Sequence, residues 1–326
     1  MVENIDDNVG RLLAKLDELK LAGDTVVIFL TDNGPAIPCY NAGMLQRKGN
    51  THEGGIRVPC FVRWAGRFRA GRTVEPIAAH IDIMPTLLDL CGVAKPAGVK
   101  FDGVSLAPLL RGDKGEWPDR TLYLQWHRGD VPEMYRAFAA RSQRYKLVQP
   151  LGAQEGPLPD KLAFKLYDMA ADPLEEKDIA ADHPEIVARM KREYETWFKD
   201  VTGGRDYTVP SRIILGAAQE DPVLLTRQDW RGPQASWGPK GLGYWEVNVA
   251  RAGDYQVTLM FPPLAADATL HFQLGKSQTE KKAAKGTSEV SFDGVNLNAG
   301  NGRLEAWINR GEDRVGVHYV EVKRRP

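Results

Sequence analysis

The chain has no surplus of either charge: 43 lysines and arginines offset 43 aspartates and glutamates across 326 residues. Such a balance generates no global field for nucleic acid or an anionic membrane, so any handling of anions must be local. The composition favours a small-molecule or neutral-polymer partner. Cysteine is scarce. Cys39, Cys60 and Cys91 cannot close a disulfide framework and their spacing fits no zinc pattern, which leaves them as small, mostly buried hydrophobes. No apolar run approaches the roughly 20 residues needed to span a bilayer, and no segment repeats at a fixed period. The opening residues lack the basic-then-apolar order of a signal peptide, an absence that carries weight only if Met1 is the natural start.

The length suggests two or three units at the usual size of about 150 residues each. Ile5, Val9, Leu12, Leu13, Leu16 and Leu19 recur at spacings of three and four, which predicts an amphipathic helix over 5–20 ended by Gly23. The run "TVVIFL" (25–30) is β-branched and does not alternate, as expected of a strand covered on both faces in a parallel sheet. "VPCFVRW" (58–64) reads as a second strand. "HIDIMPTLLDLCG" (80–92) reads as a helix with Asp82 as N-cap, Pro85 in its first turn and Gly92 as its stop. This α/β unit runs to about residue 115.

From 116 to 203 the character changes. "MYRAFAAR", "RYKLVQ" and "FKLYDM" predict short strands of a small antiparallel sheet, followed by a helix over 184–201 with Ile186, Val187, Met190, Tyr194 and Trp197 on one face. Residues 204–242, rich in Gly and Pro, read as a linker and domain entrance. Over 243–326 the alternating runs "GYWEVNV", "DYQVTLMF", "ATLHFQL", "EVSF", "RLEAWI" and "VGVHYVEV" predict an all-β sandwich. Trp245 and Trp307 lie within strands and are expected in its core. Trp230 and Trp237 lie in loops, where an aromatic face could stack on a sugar.

The chemistry-bearing stretch is "FLTDNGPAIPCYNAGMLQRKGNTHEGGIRVP" (29–59). Loops at the carboxyl ends of strands in an open parallel sheet are the usual ligand sites, and "TDNG" leaves such a strand. Asp32 and Asn33 offer a carboxylate and an amide carbonyl, hard oxygen donors of the kind that suit calcium or magnesium. Spacing alone favours a plain turn, since Asp-Asn and Asn-Gly are turn formers. Lys48 is a surface lysine or, among Gly49, Gly54 and Gly55, a group that a ligand could approach closely. His52 reads more readily as a loop histidine than as a base, and Glu53 with Arg57 as a structural ion pair.

Taken in order, "TDNGP", "KGNTHEGGIRVPCFVRWAG", "HIDIMPTLLDLCGV", "FDGVSLAPLLRG" and "YKLV" through "KLYDMAADPLEEKDIA" resemble the C-terminal half of a type I, formylglycine-dependent sulfatase with the alkaline-phosphatase-like fold. The resemblance covers roughly residues 1–200. It implies an α/β core portion (1–115), a C-terminal subdomain of antiparallel sheet plus helix (116–203) and an appended β-rich domain. It further implies that Asp32 and Asn33 ligate a divalent cation, calcium or magnesium, and that Lys48 contacts a sulfate oxygen. His52 falls where the family tolerates several residues, and is carried as a candidate substrate contact.

The family's nucleophile comes from a Cys/Ser-x-Pro-Ser/Ala-Arg motif. Cys39, Cys60 and Cys91 are followed by "YNAG", "FVRW" and "GVAK", so none fits. "TVPSRIIL" (208–215) copies the pattern with Thr208 in the nucleophile position, but it follows the family's tail motif, and oxidised threonine would give a ketone rather than an aldehyde. It reads as coincidence. The implied protein is therefore a sulfuric ester hydrolase acting on sulfated carbohydrate or aryl sulfate esters, truncated at its N-terminus, with the formylglycine in the missing part and little or no activity alone. Family habit places it in the periplasm or outside the cell. The other readings are a phosphodiesterase or phosphonate hydrolase of the same superfamily, and a non-catalytic glycan-binding protein.

Overall fold

The computed structural model describes residues 2–127, 129–152, 156–311 and 313–325. They form two units, residues 1–206 and 207–326. In the first, α1 (Val2–Glu18) forms where the apolar spacing predicts it. The helix ends before Gly23, because Lys20 turns left-handed (φ 57°) and lets the Leu21 amide donate back to the Leu16 carbonyl at 2.9 Å. No residue of α1 is buried, and Ile5, Leu12 and Leu19 of its apolar stripe are exposed.

β1 (Val27–Leu30) corrects the expectation of a fully covered parallel strand. It is half-buried, and among the described residues its partner is β2 (Cys60–Arg63), antiparallel, with Leu30 opposite Cys60. The chain between them contains no crossover helix, only a loop that doubles back, and such a return can pair strands only in opposite directions. That loop ends in α2 (Glu53–Ile56), a single turn. The three cysteines are also corrected. All are exposed and free, because each sits in a loop, at a ribbon edge or at a helix end rather than beneath a packed face.

The helix around residue 85 is a 3-10 turn (His80–Asp82) continued by α3 (Ile83–Leu90), and α4 (Ala107–Arg111) follows. Asp82 does not cap α3 with its side chain. Its carboxylate instead accepts from the amides of Ala79 (2.8 Å) and Val104 (2.9 Å) and from both terminal nitrogens of Arg120 (2.6 and 2.7 Å). Burial would raise the pKa of this carboxyl, but Arg120 and the two amides outweigh it and hold the group below the ordinary carboxylate range. Asp82→Ala strands a largely buried guanidinium and is expected to cost about 3 kcal/mol, read as a lower urea midpoint.

The small sheet has the order β3 (Leu122–Gln125), β4 (Phe138–Arg141), β5 (Tyr145–Gln149), β6 (Lys165–Asp168), all antiparallel. β3 carries no clear sequence signal. One face packs on α5 (Pro184–Thr202): Phe138, Ala140, Leu147 and Leu166 meet Met190, Tyr194 and Phe198, with Ile186, Val187 and Trp197 at the margin. The predicted helix face is thus the one that is buried. The opposite sheet face carries Ala139, Val148 and Tyr167, and also Arg141 and Lys146.

The second unit pairs two sheets around one core. One has the order β13 (Glu289–Leu297), β10 (Gly253–Met260), β16 (Tyr319–Arg324), β8 (Val223–Thr226). The other has β12 (Ser277–Ala283), β11 (Ala268–Leu274), β14 (Gly300–Arg310), β9 (Tyr244–Val249), β7 (Ile213–Leu215), with β15 (Asp313–Gly316) also on β14. β7 and β8 lie in the stretch read as linker, and Leu215, Val223 and Leu225 enter the core. Trp245 is fully buried there. Trp307 is buried too, but stacked on His271 (5.0 Å between centroids) outside the central cluster. Trp230 packs against the core, whereas Trp237 is 67% exposed. No helix among the described residues is long and apolar enough to cross a membrane.

Candidate functional site

The loop that leaves β1 is pressed against the turn that ends it. The Gly34 amide donates to the Gly55 carbonyl (2.9 Å), and the Gly54 amide to the Leu45 carbonyl (2.9 Å). A Cβ on residue 34 would lie 1.8 Å from the Gly54 carbonyl oxygen, and one on residue 55 would lie 1.9 Å from that of Asn50. Glycine is therefore required by backbone approach. Asn41 ties the intervening chain by donating to the carbonyls of Met44 (2.8 Å) and Gln46 (3.2 Å).

Asp32 is exposed and Asn33 half-buried. The Asn33 amide donates to Asp32 Oδ1 (2.9 Å), and Asn33 Nδ2 donates to the Gly34 carbonyl (3.0 Å). Engaging the amide nitrogen leaves Asn33 Oδ1 as the atom free to accept, which is the end a cation would use. Lys48 is exposed, and its backbone amide donates to the Pro35 carbonyl at 3.1 Å. That bond carries Lys48 back alongside the residues just after Asn33. Asp32 and Asn33 fit a hard cation in kind but supply two donors, and among the described residues no group of three His, Cys, Asp or Glu could hold a metal.

His52 lies elsewhere. Its side chain is buried, with Nδ1 at 3.1 Å from Glu175 Oε1, and its ring meets Tyr167 edge-on at 5.9 Å. The Glu53 amide donates to Glu175 Oε2 (2.6 Å), while the fully buried Lys146 ammonium stands 2.9 Å from both Glu53 Oε1 and Glu175 Oε1. Arg141 adds a contact to Glu53 at 3.8 Å. Arg57, the partner expected for Glu53, is at 4.0 Å and largely exposed. The cluster joins α2, β4, β5 and the segment after β6, and Thr51 adds a hydroxyl bond to the Phe138 carbonyl at 3.1 Å. Burial alone would raise the Glu175 carboxyl, but the His52 hydrogen bond, the Lys146 charge and the Glu53 amide hold it below its ordinary value. Burial lowers Arg141.

Residues 1–93 match the family model described as Sulfatase. Residues 1–93 are thus a sulfatase-family segment. The chain is 38% identical over 156 residues to mouse steryl-sulfatase, covering 42% of the chain and 25% of that protein. It is 32% identical over 252 residues to human arylsulfatase A, covering 68% and 46%. It thus spans less than half the length of these relatives. Among solved structures, that of Ps i-CgsB in complex with k-i-k-neocarrahexaose matches at 26% identity and a TM-score of 0.51, over 60% of this chain and 41% of that one.

Sequence reasoning named Asp32, Asn33 and Lys48 as candidates and did not anticipate the buried cluster of Lys146, Arg141 and Glu175. A faint signal existed for Lys146, a lone lysine inside the apolar strand "YKLVQ". Glu175, in a turn at φ 62°, had none. The copy of the nucleophile motif at 208–215 is absorbed by the second unit: Ile213–Leu215 form β7, and Arg212 lies 3.8 Å from Glu246.

Proposed function

We propose that this chain supplies one part of a sulfuric ester hydrolase site, with Asp32 and Asn33 as cation ligands and Lys48 as the sulfate contact. The observation that carries the reading is the folded-back loop within the sulfatase match, which brings the backbone of Lys48 to Pro35, just after the strand exit that carries Asp32 and Asn33. Sulfuryl transfer builds negative charge on the non-bridging and leaving oxygens, and a fixed ammonium stabilises it where it develops. A bound calcium or magnesium ion would add Lewis-acid stabilisation of the same charge. The nucleophile, a formylglycine, and the remaining cation ligands come from residues beyond these 326. The unburied apolar stripe of α1 and the partial coverage of relatives support that arrangement. The substrate is a sulfated carbohydrate or aryl sulfate ester, and the enzyme works in the periplasm or outside the cell. The oligosaccharide bound by the matched structure supports a glycan.

The purified chain is expected to hydrolyse 4-nitrophenyl sulfate no faster than buffer. Metal-dependent turnover by the chain alone would overturn the divided site. Combined with a segment bearing the Cys-x-Pro-Ser-Arg motif, it is expected to turn over, and Lys48→Ala should then lower kcat/KM by about 10²–10³-fold. An unchanged kcat/KM in that variant would remove Lys48 from the site.

A further inference from the structure

The sheet of the second unit that contains β11 and β14 carries on its outer face a row of polar side chains without hydrogen bonds. Phe272 and Leu274 of β11, Leu304 and Ala306 of β14 and Trp245 of β9 point into the core, so the residues between them point outward. Register sets Gln278 of β12 opposite Gln273 of β11, Gln273 opposite Glu305 of β14, and Glu305 opposite Tyr244 of β9. At the usual strand spacing these two amides, the carboxylate and the phenol form one line about 14 Å long. The rows on either side pair their polar groups with each other. On one flank Trp307 Nε1 donates to Asn309 Oδ1 (3.1 Å), Asn309 Nδ2 meets His271 Nε2 (2.8 Å), and His271 Nδ1 stands 3.3 Å from Glu280. On the other, Arg303 donates to Glu246 (2.9 Å) and Asn248 to Asn301 (2.7 Å). Among the described residues, the side-chain amides of Gln273 and Gln278, the Glu305 carboxylate and the Tyr244 hydroxyl make no hydrogen bond, and none of the four residues is buried.

We propose that this row is a binding site for an uncharged stretch of polysaccharide. Sugar hydroxyls both donate and accept, and a line of amides, carboxylate and phenol offers both functions along its length. Arg303 already lies over the Tyr244 ring (4.5 Å) and Arg314 over Trp307 (5.1 Å), so recognition falls to hydrogen bonds rather than to stacking on an open ring. The charge of the row selects among glycans. Glu305 has no salt bridge among the described residues, and Lys282 and Arg314 stand two rows away, where they face Thr269 and Asn309. A sulfate or uronate beside Glu305 would be repelled, whereas a hydroxyl donates to it in a charge-assisted hydrogen bond. The site is independent of the role of Lys48.

The test titrates the 326-residue chain with cellohexaose, xylohexaose and mannohexaose, and with a heparin hexasaccharide as the charged comparison, by calorimetry. At least one neutral hexasaccharide is expected to bind, and to bind more tightly than the heparin fragment. Glu305→Ala should weaken that ligand about tenfold, and Gln273→Ala and Gln278→Ala about fivefold each. Gln278 is exposed on an edge strand, so its variant leaves the core undisturbed. Glu305→Gln keeps an acceptor without the charge, and should retain part of the neutral affinity while improving that for the heparin fragment. Trp237→Ala, in the exposed loop, should change nothing. The site is overturned if no neutral hexasaccharide binds, if the heparin fragment binds more tightly, or if neutral binding survives both Glu305→Ala and Gln278→Ala.

Discussion

Replacing Glu175 with alanine is expected to lower the unfolding free energy of the first unit by about 3–5 kcal/mol, the cost of leaving a buried charge without its partner. Glu175 and Lys146 are both fully buried in their side chains, and Lys146 keeps only Glu53 once Glu175 is gone. The Glu53 amide and His52 Nδ1 lose their acceptor in the same step. A urea titration reads the loss, and hydrogen exchange should place the new opening in the α2 turn and the Lys48 loop. A shift below about 1 kcal/mol would show that the cluster is dispensable. Acid separates the charge from the hydrogen bonds. Folded Glu175 titrates below its ordinary 4.5, so its contribution is complete above that pH and fades as pH falls through the lower folded value. Glu175→Gln should be less stable than the parent near neutrality, and the gap between them should close on acidification below about pH 4.5.

Gly34→Ala should be nearly as damaging for a steric reason. The new methyl would lie 1.8 Å from the Gly54 carbonyl oxygen and 2.8 Å from its carbon, both backbone atoms that cannot rotate away. Relief requires the strand exit to lift from the α2 turn, at about 3 kcal/mol. On the proposed reading this moves Asp32 and Asn33 relative to Lys48. A displacement of about 1 Å in such a set costs on the order of 100-fold in kcat/KM of the reconstituted enzyme. Gly10→Ala is the matched control: nothing lies within 4 Å of its Cβ position in the middle of α1, and alanine there should stabilise by up to about 1 kcal/mol. Equal behaviour of the two variants would refute the close-approach argument.

Much of the fold was legible because it depends on local periodicity. The apolar spacing of α1 and α5, and the alternating runs that became β9, β10, β11, β13 and β14, are properties of neighbouring residues. β12, with the sequence "SQTEKKA", was not legible. It pairs with β11 on one side only, so an edge position lets it stay polar on both faces. β7 and β8 were hidden among glycines and prolines, since runs of three and four residues are too short to show a period. The direction of β1 was misjudged because an unbroken β-branched run reports burial, and burial does not reveal which segment pairs with it.

The candidate site divides along the same line. The sequence by itself determined which chemical groups follow β1, namely the acid, the amide and the lysine, and the ordered motifs by which residues 1–93 match the sulfatase family model. Only the tertiary structure decided that His52 is buried, that Glu53 answers to Lys146 across 93 residues, and that Glu175 reaches the Glu53 amide across 122. It alone set Gln273 beside Glu305. The physical reason is that a charge can be buried only where partners converge on it. Those partners lie on strands and turns whose meeting depends on sheet register, which no local spacing encodes.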